Sequence, residues 1–89
     1  MLEQEIEIVN KLGLHARAAA KLVSTAGQFT SEVLLSKGYQ EINAKSIMGV
    51  MMLAASIGTV LTLKTSGPDE QQAMDALLAL INDKFGEGE

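Results

Sequence analysis

The spacing of apolar residues changes repeatedly along this chain, and these changes limit the folds that it can adopt. Polar and apolar residues alternate over Gln4–Val9, with Ile6 and Ile8 on one face, which predicts a half-buried strand. Residues 16–26 are rich in alanine and carry apolar residues at helical spacing, and Gly27 predicts the end of that helix. Further strands are predicted at 32–36, 39–42 and 59–65, and further helices are predicted to begin at 47 and after 69.

Turn and capping residues separate these elements. Residues 37–38 suit a hairpin turn, and Ser46 before an apolar run is typical of a helix N-cap. Asp69 followed by Gln72 predicts a capping box that opens the last helix. Residues 86–89 are expected to fray. The apolar stripe of the last helix comprises Met74, Leu77, Leu78, Ile81 and Phe85, which extends the predicted helix to about the last of these.

The resulting order, β-α-β-β-α-β-α, predicts a single α+β domain over residues 1–89. A chain of this length has no room for a second core. Four strands and three helices in so few residues require an antiparallel or mixed sheet covered by helices on one face. Because aromatic residues make up only 3% of the chain, its core must be aliphatic.

Composition argues against several classes of function. The formal net charge of −4 argues against nucleic-acid binding, which needs clustered Lys and Arg. The absence of cysteine excludes disulfides and thiolate catalysis, and a single histidine argues against a transition-metal site. The acidic start is unlike a signal peptide, and no apolar run approaches the roughly 18 residues of a membrane span. We therefore expect a cytoplasmic monomer without a metal, a cofactor or membrane insertion.

The single histidine, His15, lies where the first strand gives way to the first helix, with Arg17 two residues on. A helix N-terminus exposes free N–H groups and a partial positive charge, so it attracts anions. A cation placed there opposes the helix dipole, and a bound anion would explain the placement. Since a neutral imidazole can attack phosphorus, the pattern predicts a phosphoryl-accepting site. A surface histidine that caps the helix of a small binding or assembly domain is the alternative.

The run 13–17 (Gly-Leu-His-Ala-Arg), together with 45–49 (Lys-Ser-Ile-Met-Gly), resembles HPr. HPr is the family of histidine-containing phosphocarrier proteins of the bacterial phosphoenolpyruvate:sugar phosphotransferase system. The resemblance covers essentially the whole chain in length and element order. It implies an open-faced β-sandwich with a four-stranded antiparallel sheet and three helices on one face. A close relative devoted to nitrogen regulation shares the same pattern.

The resemblance also implies the roles of the residues around His15. The His15 ring would receive a phosphoryl group on Nδ1 from enzyme I and pass it to enzyme IIA. The Arg17 side chain would pair with the phosphoryl oxygens, and the backbone amides of Ala16 and Arg17 would add hydrogen bonds. Such a protein carries a transient phosphohistidine and has no turnover of its own. The alternative is a regulatory protein of the nitrogen branch.

The chain departs from the family at two places near His15. Most members have proline after the arginine, whereas this chain has Ala18. Alanine restores one N–H donor and loosens the loop. Many members also carry a small polar residue at one of the positions that Lys11 and Leu12 occupy here. The sequence therefore does not predict which residue caps the first helix.

Ser46 and the apolar run after it suggest regulation and docking. In the family the matching serine is phosphorylated by HPr kinase/phosphorylase, which predicts a regulatory site at Ser46 in addition to its capping role. The run that follows contains more apolar residues than one face of a short helix can bury, and exposed methionine suits a docking surface. We expect Ile47, Met48 and Met51 to contact partners, through small, weak interfaces that release quickly.

Overall fold

The computed structural model describes residues 1–88 and has the predicted order β-α-β-β-α-β-α. The strands are β1 Leu2–Glu7, β2 Glu32–Lys37, β3 Gln40–Asn43 and β4 Val60–Ser66. The helices are α1 Ala16–Ala26, α2 Ile47–Met52 and α3 Glu70–Asn82, and a single 3₁₀ turn, Lys84–Gly86, follows α3.

The strands form one antiparallel sheet in the order β1-β4-β2-β3. Alternate side chains of each strand point to opposite faces, and one face is buried under the helices. On the other face, Lys64 lies 3.1 Å from Glu41 and 4.0 Å from Glu3. All three strand pairs are antiparallel and helices cover one face, which confirms the open-faced α+β sandwich. The strand residues buried on the helix side are Ile6, Val33, Leu35, Leu61, Leu63 and Thr65.

The core is aliphatic, as predicted, with one buried aromatic side chain, Phe85, among the described residues. Helix α1 contributes small residues and Leu22, and α3 contributes Met74, Leu77 and Ile81. Each fully buried Leu or Ile contributes about 1.5–3 kcal/mol relative to an exposed one. Leu78 is only partly buried, at the edge of the same cluster.

Two local predictions for the last helix are wrong. The side chain of Asp69 does not cap α3; its carboxylate accepts hydrogen bonds from the backbone N–H groups of Thr30 and Ser31 instead. These donors come from the segment before β2 and outcompete the local cap. Helix α3 also ends at Asn82, because the chain turns sharply at Lys84 and Phe85, which both have a φ of 55°.

The first helix matches its predicted bounds, although Gly27 ends it without a left-handed residue (φ −67°). In the hairpin, Gly38 does adopt a left-handed conformation (φ 61°), and the two-residue turn shifts the start of β3 to Gln40. None of the helices within residues 1–88 is long and apolar enough to cross a membrane.

Candidate functional site

His15 is the N-cap residue of α1, in an extended conformation with φ −73° and ψ 178°. Its backbone carbonyl accepts the hydrogen bond of Ala19 N–H at 2.8 Å, while its side chain makes no capping bond. The side chain is 28% exposed. His15 therefore lies at the N-terminus of α1, as predicted, next to the first-turn N–H groups that have no partner within the helix.

The backbone just before His15 is held in place by Gly13 and Leu14. Gly13 has a φ of 68° and donates its N–H to the carbonyl of Asn10. Leu14 is buried and donates its N–H to the carbonyl of Ala55 at 2.8 Å. A Cβ atom on Gly13 would lie 2.5 Å from that same carbonyl oxygen, so only glycine permits this approach of the two backbones.

Two residues that the sequence did not single out, Asn10 and Glu87, connect His15 to the interior of the protein. The Nδ2 atom of buried Asn10 donates to the Gly13 carbonyl at 2.8 Å and to Glu87 Oε1 at 3.0 Å. The other carboxylate oxygen of Glu87, Oε2, contacts Nε2 of His15. Asn10, Glu87 and His15 thus form a continuous polar chain from the interior to the ring.

The segment after α3 carries Glu87 to this position. Phe85 is fully buried, and its carbonyl accepts a hydrogen bond from Lys21 Nζ at 2.6 Å. The backbone N–H of Glu87 donates to the carbonyl of Lys84 at 3.0 Å. The expectation that this tail frays is therefore wrong at Glu87; Glu89 lies outside the described residues.

The Glu87 carboxyl is only 11% exposed, yet its surroundings favour the ionised form. Burial raises the pKa of this carboxyl, but hydrogen bonds from Asn10 and His15 lower it, as do the charge of Lys21 and the charge that the His15 ring carries when it is protonated. The net effect is a pKa below its ordinary value of 4.5. Glu87 is therefore a carboxylate at neutral pH, and an ionised carboxylate only accepts hydrogen bonds.

Arg17 lies in the first turn of α1 with an exposed side chain. It lines a pocket of about 270 Å³ next to the His15–Glu87 contact. The exposed guanidinium of Arg17 faces this pocket, and a planar guanidinium suits an anion such as a phosphoryl group. Its lining residues are Lys11, Leu12, Arg17, Lys21, Gly86 and Glu87.

Ala16 and Arg17 were predicted to donate backbone hydrogen bonds to a phosphoryl group, and both lie at the start of α1. Ala16 and Arg17 are the first two residues of α1, so their N–H groups point to the N-terminal end of the helix, next to the N-cap residue His15. Ala18, which stands where most members of the family that the sequence resembles have proline, is fully buried against the core. The site therefore keeps a backbone N–H at that position.

Ser46 is the N-cap of α2, as predicted, and its Oγ accepts a hydrogen bond from Gly49 N–H at 3.2 Å. The residue is exposed. Helix α2, which Ser46 caps, packs against α1, the helix that begins after His15. Whether Ser46 is phosphorylated stays a prediction.

The apolar side chains of α2 divide as the composition indicated. Val50 is buried, whereas Ile47, Met48 and Met51 are 43%, 74% and 45% exposed. Leu12, in the loop before His15, is also 67% exposed. The exposed surface of α2 is therefore apolar, and a docking role for its residues stays a prediction.

No pattern in the sequence pointed to Asn10 or Glu87. Asn10 could be suspected as a polar residue at the end of an apolar strand, but Glu87 lies 72 residues from His15. Only the folded chain brings them together. Within residues 1–88, no group of three or more His, Asp or Glu side chains is arranged to hold a metal ion.

Comparisons with known proteins find similar proteins over nearly the whole chain. A family model described as "PTS HPr component phosphorylation site" matches residues 2–83. The phosphocarrier protein HPr of Cupriavidus necator is 64% identical over 89 residues, covering all of both chains. That of Neisseria meningitidis serogroup A is 62% identical over the same coverage. The crystal structure of HPr-C-His from Thermoanaerobacter tengcongensis is similar with a TM-score of 0.95, at 52% identity and 98% coverage of each chain.

Proposed function

This chain belongs to the HPr family of phosphocarrier proteins, and on that premise we propose that it accepts a phosphoryl group on His15 from enzyme I and passes it to enzyme IIA. The observation that carries the proposal is the place of the His15 ring. It lies at the N-terminus of α1, partly exposed, beside a basic pocket. A phosphoryl group on this ring meets free backbone N–H groups, which favour an anion.

The acceptor atom that we propose is Nδ1. Nε2 contacts the Glu87 carboxylate, which can only accept a hydrogen bond, so in the neutral ring the proton belongs on Nε2. Nδ1 then carries the lone pair that attacks phosphorus. The N–H groups of Ala16 and Arg17 lie on the same end of α1 and serve as donors to the phosphoryl oxygens.

Arg17 supplies the side-chain charge in this proposal. Its guanidinium is exposed on the first turn and lines the pocket, so it is free to approach a phosphoryl group on His15. Arginine suits this task because its planar fork binds two oxygens at once. A cation in the first turn opposes the helix dipole, and a bound dianion removes that conflict.

Each of the two transfers, onto His15 and from His15 to enzyme IIA, is a displacement at phosphorus. As the Nδ1 lone pair forms a bond to phosphorus, the bond from phosphorus to the donor atom of enzyme I breaks and its electron pair returns to that atom. Passing the group to enzyme IIA repeats the exchange with this ring as the leaving group. The protein therefore needs only to position the ring and hold the oxygens weakly.

Partner docking is proposed for the exposed apolar side chains of α2, the helix that packs against α1. Ile47, Met48 and Met51 on α2 would contact enzyme I and enzyme IIA, and flexible methionines suit a surface that serves different partners. Phosphorylation of Ser46 by HPr kinase/phosphorylase would place a dianion within this surface. It would weaken docking by repelling acidic partner groups rather than by unfolding α2, since a phosphate is favourable at a helix N-terminus.

The proposal is tested by incubating the chain with phosphoenolpyruvate, magnesium and enzyme I, and mapping the modified residue by mass spectrometry. We expect one acid-labile, base-stable phosphoryl group on His15, and its ³¹P resonance should be that of an Nδ1 adduct. His15→Ala should take up none. Absence of an adduct on the unaltered chain, or an adduct that survives His15→Ala, would refute the proposal.

A further inference from the structure

We propose that Glu87 is a positioning residue: its carboxylate, held by Asn10, fixes the His15 ring so that Nδ1 is presented to the phosphoryl group. This inference deepens the proposed function and rests on it. A set of contacts joins Glu87, after α3, to the residues around His15.

The two oxygens of Glu87 have two different partners. Oε1 accepts from Asn10 Nδ2 at 3.0 Å, and Oε2 contacts Nε2 of His15. With both oxygens engaged, the carboxylate is oriented, and it in turn restricts rotation of the imidazole. A carboxylate that orients a reactive histidine through the nitrogen that does not react is a recurrent arrangement in nucleophilic catalysis.

Asn10 is suited to hold the carboxylate because its own orientation is determined. Its amide nitrogen faces two acceptors, the Gly13 carbonyl and Glu87, so the amide cannot flip without losing both bonds. The residue is fully buried, and its Oδ1 has no partner among the described residues 1–88. A buried oxygen without a partner lowers the free energy of unfolding by about 1–3 kcal/mol, so stability alone does not explain an asparagine at this position.

The segment that carries Glu87 is anchored rather than loosely attached. Lys84 and Phe85 both adopt the left-handed region at a φ of 55°, which is unfavourable for residues other than glycine. Burial of Phe85 and the bond from Lys21 to its carbonyl hold this turn. Unfavourable backbone conformations that the surrounding structure enforces are often found at functional sites.

The carboxylate also affects the ring during transfer. As Nδ1 donates its electron pair to phosphorus, positive charge develops on the imidazole, and the proton stays on Nε2. The Glu87 carboxylate next to that proton stabilises the charge on the side of the ring away from the phosphoryl group. Glu87 contacts the ring but not the reacting phosphorus, so its effect passes through His15.

The test compares Glu87→Gln with the unaltered chain and with Glu5→Gln. The first variant keeps the shape of the side chain but has one acceptor oxygen and one amide donor, so it cannot accept from both Asn10 and His15. The second makes the same chemical change at an exposed position in the middle of β1. Three quantities are measured: the rate of phosphoryl transfer from phosphorylated enzyme I, the ¹⁵N shifts of the His15 ring, and the melting temperature.

We expect Glu87→Gln to slow transfer about tenfold or more, as loss of an orienting partner commonly does. The ¹⁵N spectrum should show a new population of the neutral ring with its proton on Nδ1, because the amide donates to Nε2. Glu5→Gln should change neither quantity. A purely structural role predicts a lower melting temperature with an unchanged rate and unchanged ring shifts, and that result would overturn the inference.

The two proposals fail in different ways. If the unaltered chain takes no phosphoryl group from enzyme I, the proposed function itself is wrong. If the unaltered chain is phosphorylated on His15 and Glu87→Gln matches it in rate and in ring tautomer, only the role of Glu87 is wrong.

Discussion

Replacing Gly13 with alanine tests how the site is held, because the structure separates two costs of that change. Gly13 lies in the left-handed region at a φ of 68°, and so does Gly38 at 61°. A Cβ on Gly38 would meet nothing within 4 Å, whereas a Cβ on Gly13 would lie 2.5 Å from Ala55 O and 2.8 Å from Ser56 Cα. Gly38→Ala is therefore a control that carries only the backbone cost.

The magnitudes follow from these distances. Placing alanine in the left-handed region costs about 1–2 kcal/mol, and the stiffer unfolded chain offsets about 0.4–1 kcal/mol of that. We therefore expect Gly38→Ala to lower the free energy of unfolding by about 1 kcal/mol. Gly13→Ala adds overlap with two backbone atoms that cannot rotate away, worth about 1–3 kcal/mol more. Its total loss is about 2–4 kcal/mol.

Thermal melts and transfer kinetics measure the outcome. For a domain of this size, about 1 kcal/mol corresponds to roughly 4–8 °C in Tm. Gly38→Ala should therefore melt about 4–8 °C lower than the unaltered chain, and Gly13→Ala at least about twice as far below it. Gly13→Ala should also slow transfer, since it displaces the backbone that precedes His15, and Gly38→Ala should not. Equal Tm losses for the two variants would refute the argument that backbone contact at Ala55 constrains this loop.

Three further predictions concern charge. Arg17→Glu should slow transfer by about 100-fold or more while changing stability by less than about 0.5 kcal/mol, because the side chain is exposed; equal losses in transfer kinetics and melts would contradict its role as a phosphoryl ligand. Ser46→Glu should weaken enzyme I binding about 3- to 10-fold by calorimetry, and Ser46→Ala, which loses the cap without adding charge, should not. The Ser31 hydroxyl and the Thr30 N–H hold the pKa of Asp69 below 3.8, so its stabilising effect is present above that pH and is lost as the pH falls through the lower folded value. The stability gap between the unaltered chain and Asp69→Asn should therefore narrow in acid, and a gap independent of pH in denaturant titrations would show that ionisation of Asp69 is irrelevant.

Local patterns in the sequence predicted the elements because each buries one face. Alternation placed Ile6 and Ile8 on the core side, and both are buried. Helical spacing predicted α1 with its observed bounds, and a serine before an apolar run predicted the cap of α2. These signals depend on residues within a few positions of one another, so one sequence contains them.

Predictions failed where a distant partner replaced a local one. Asp69 has the sequence context of a capping box, yet its carboxylate binds Ser31, which is 38 residues away. Phe85 continues the apolar stripe of α3, but it reaches the core from a separate turn after the helix has ended. In both cases local preference is worth about 1 kcal/mol, and burial or several hydrogen bonds to a distant segment exceed it.

The sequence alone determined the order of the elements, the aliphatic core and the placement of the single histidine beside an arginine at a helix start, because each depends on neighbouring residues. Only the tertiary structure decided what surrounds that histidine. Asn10 and Glu87 come from opposite ends of the chain, and their contact depends on how the turn after α3 packs against α1. No local pattern carries that information, since the contact exists only once Phe85 is buried and the chain has closed around its core.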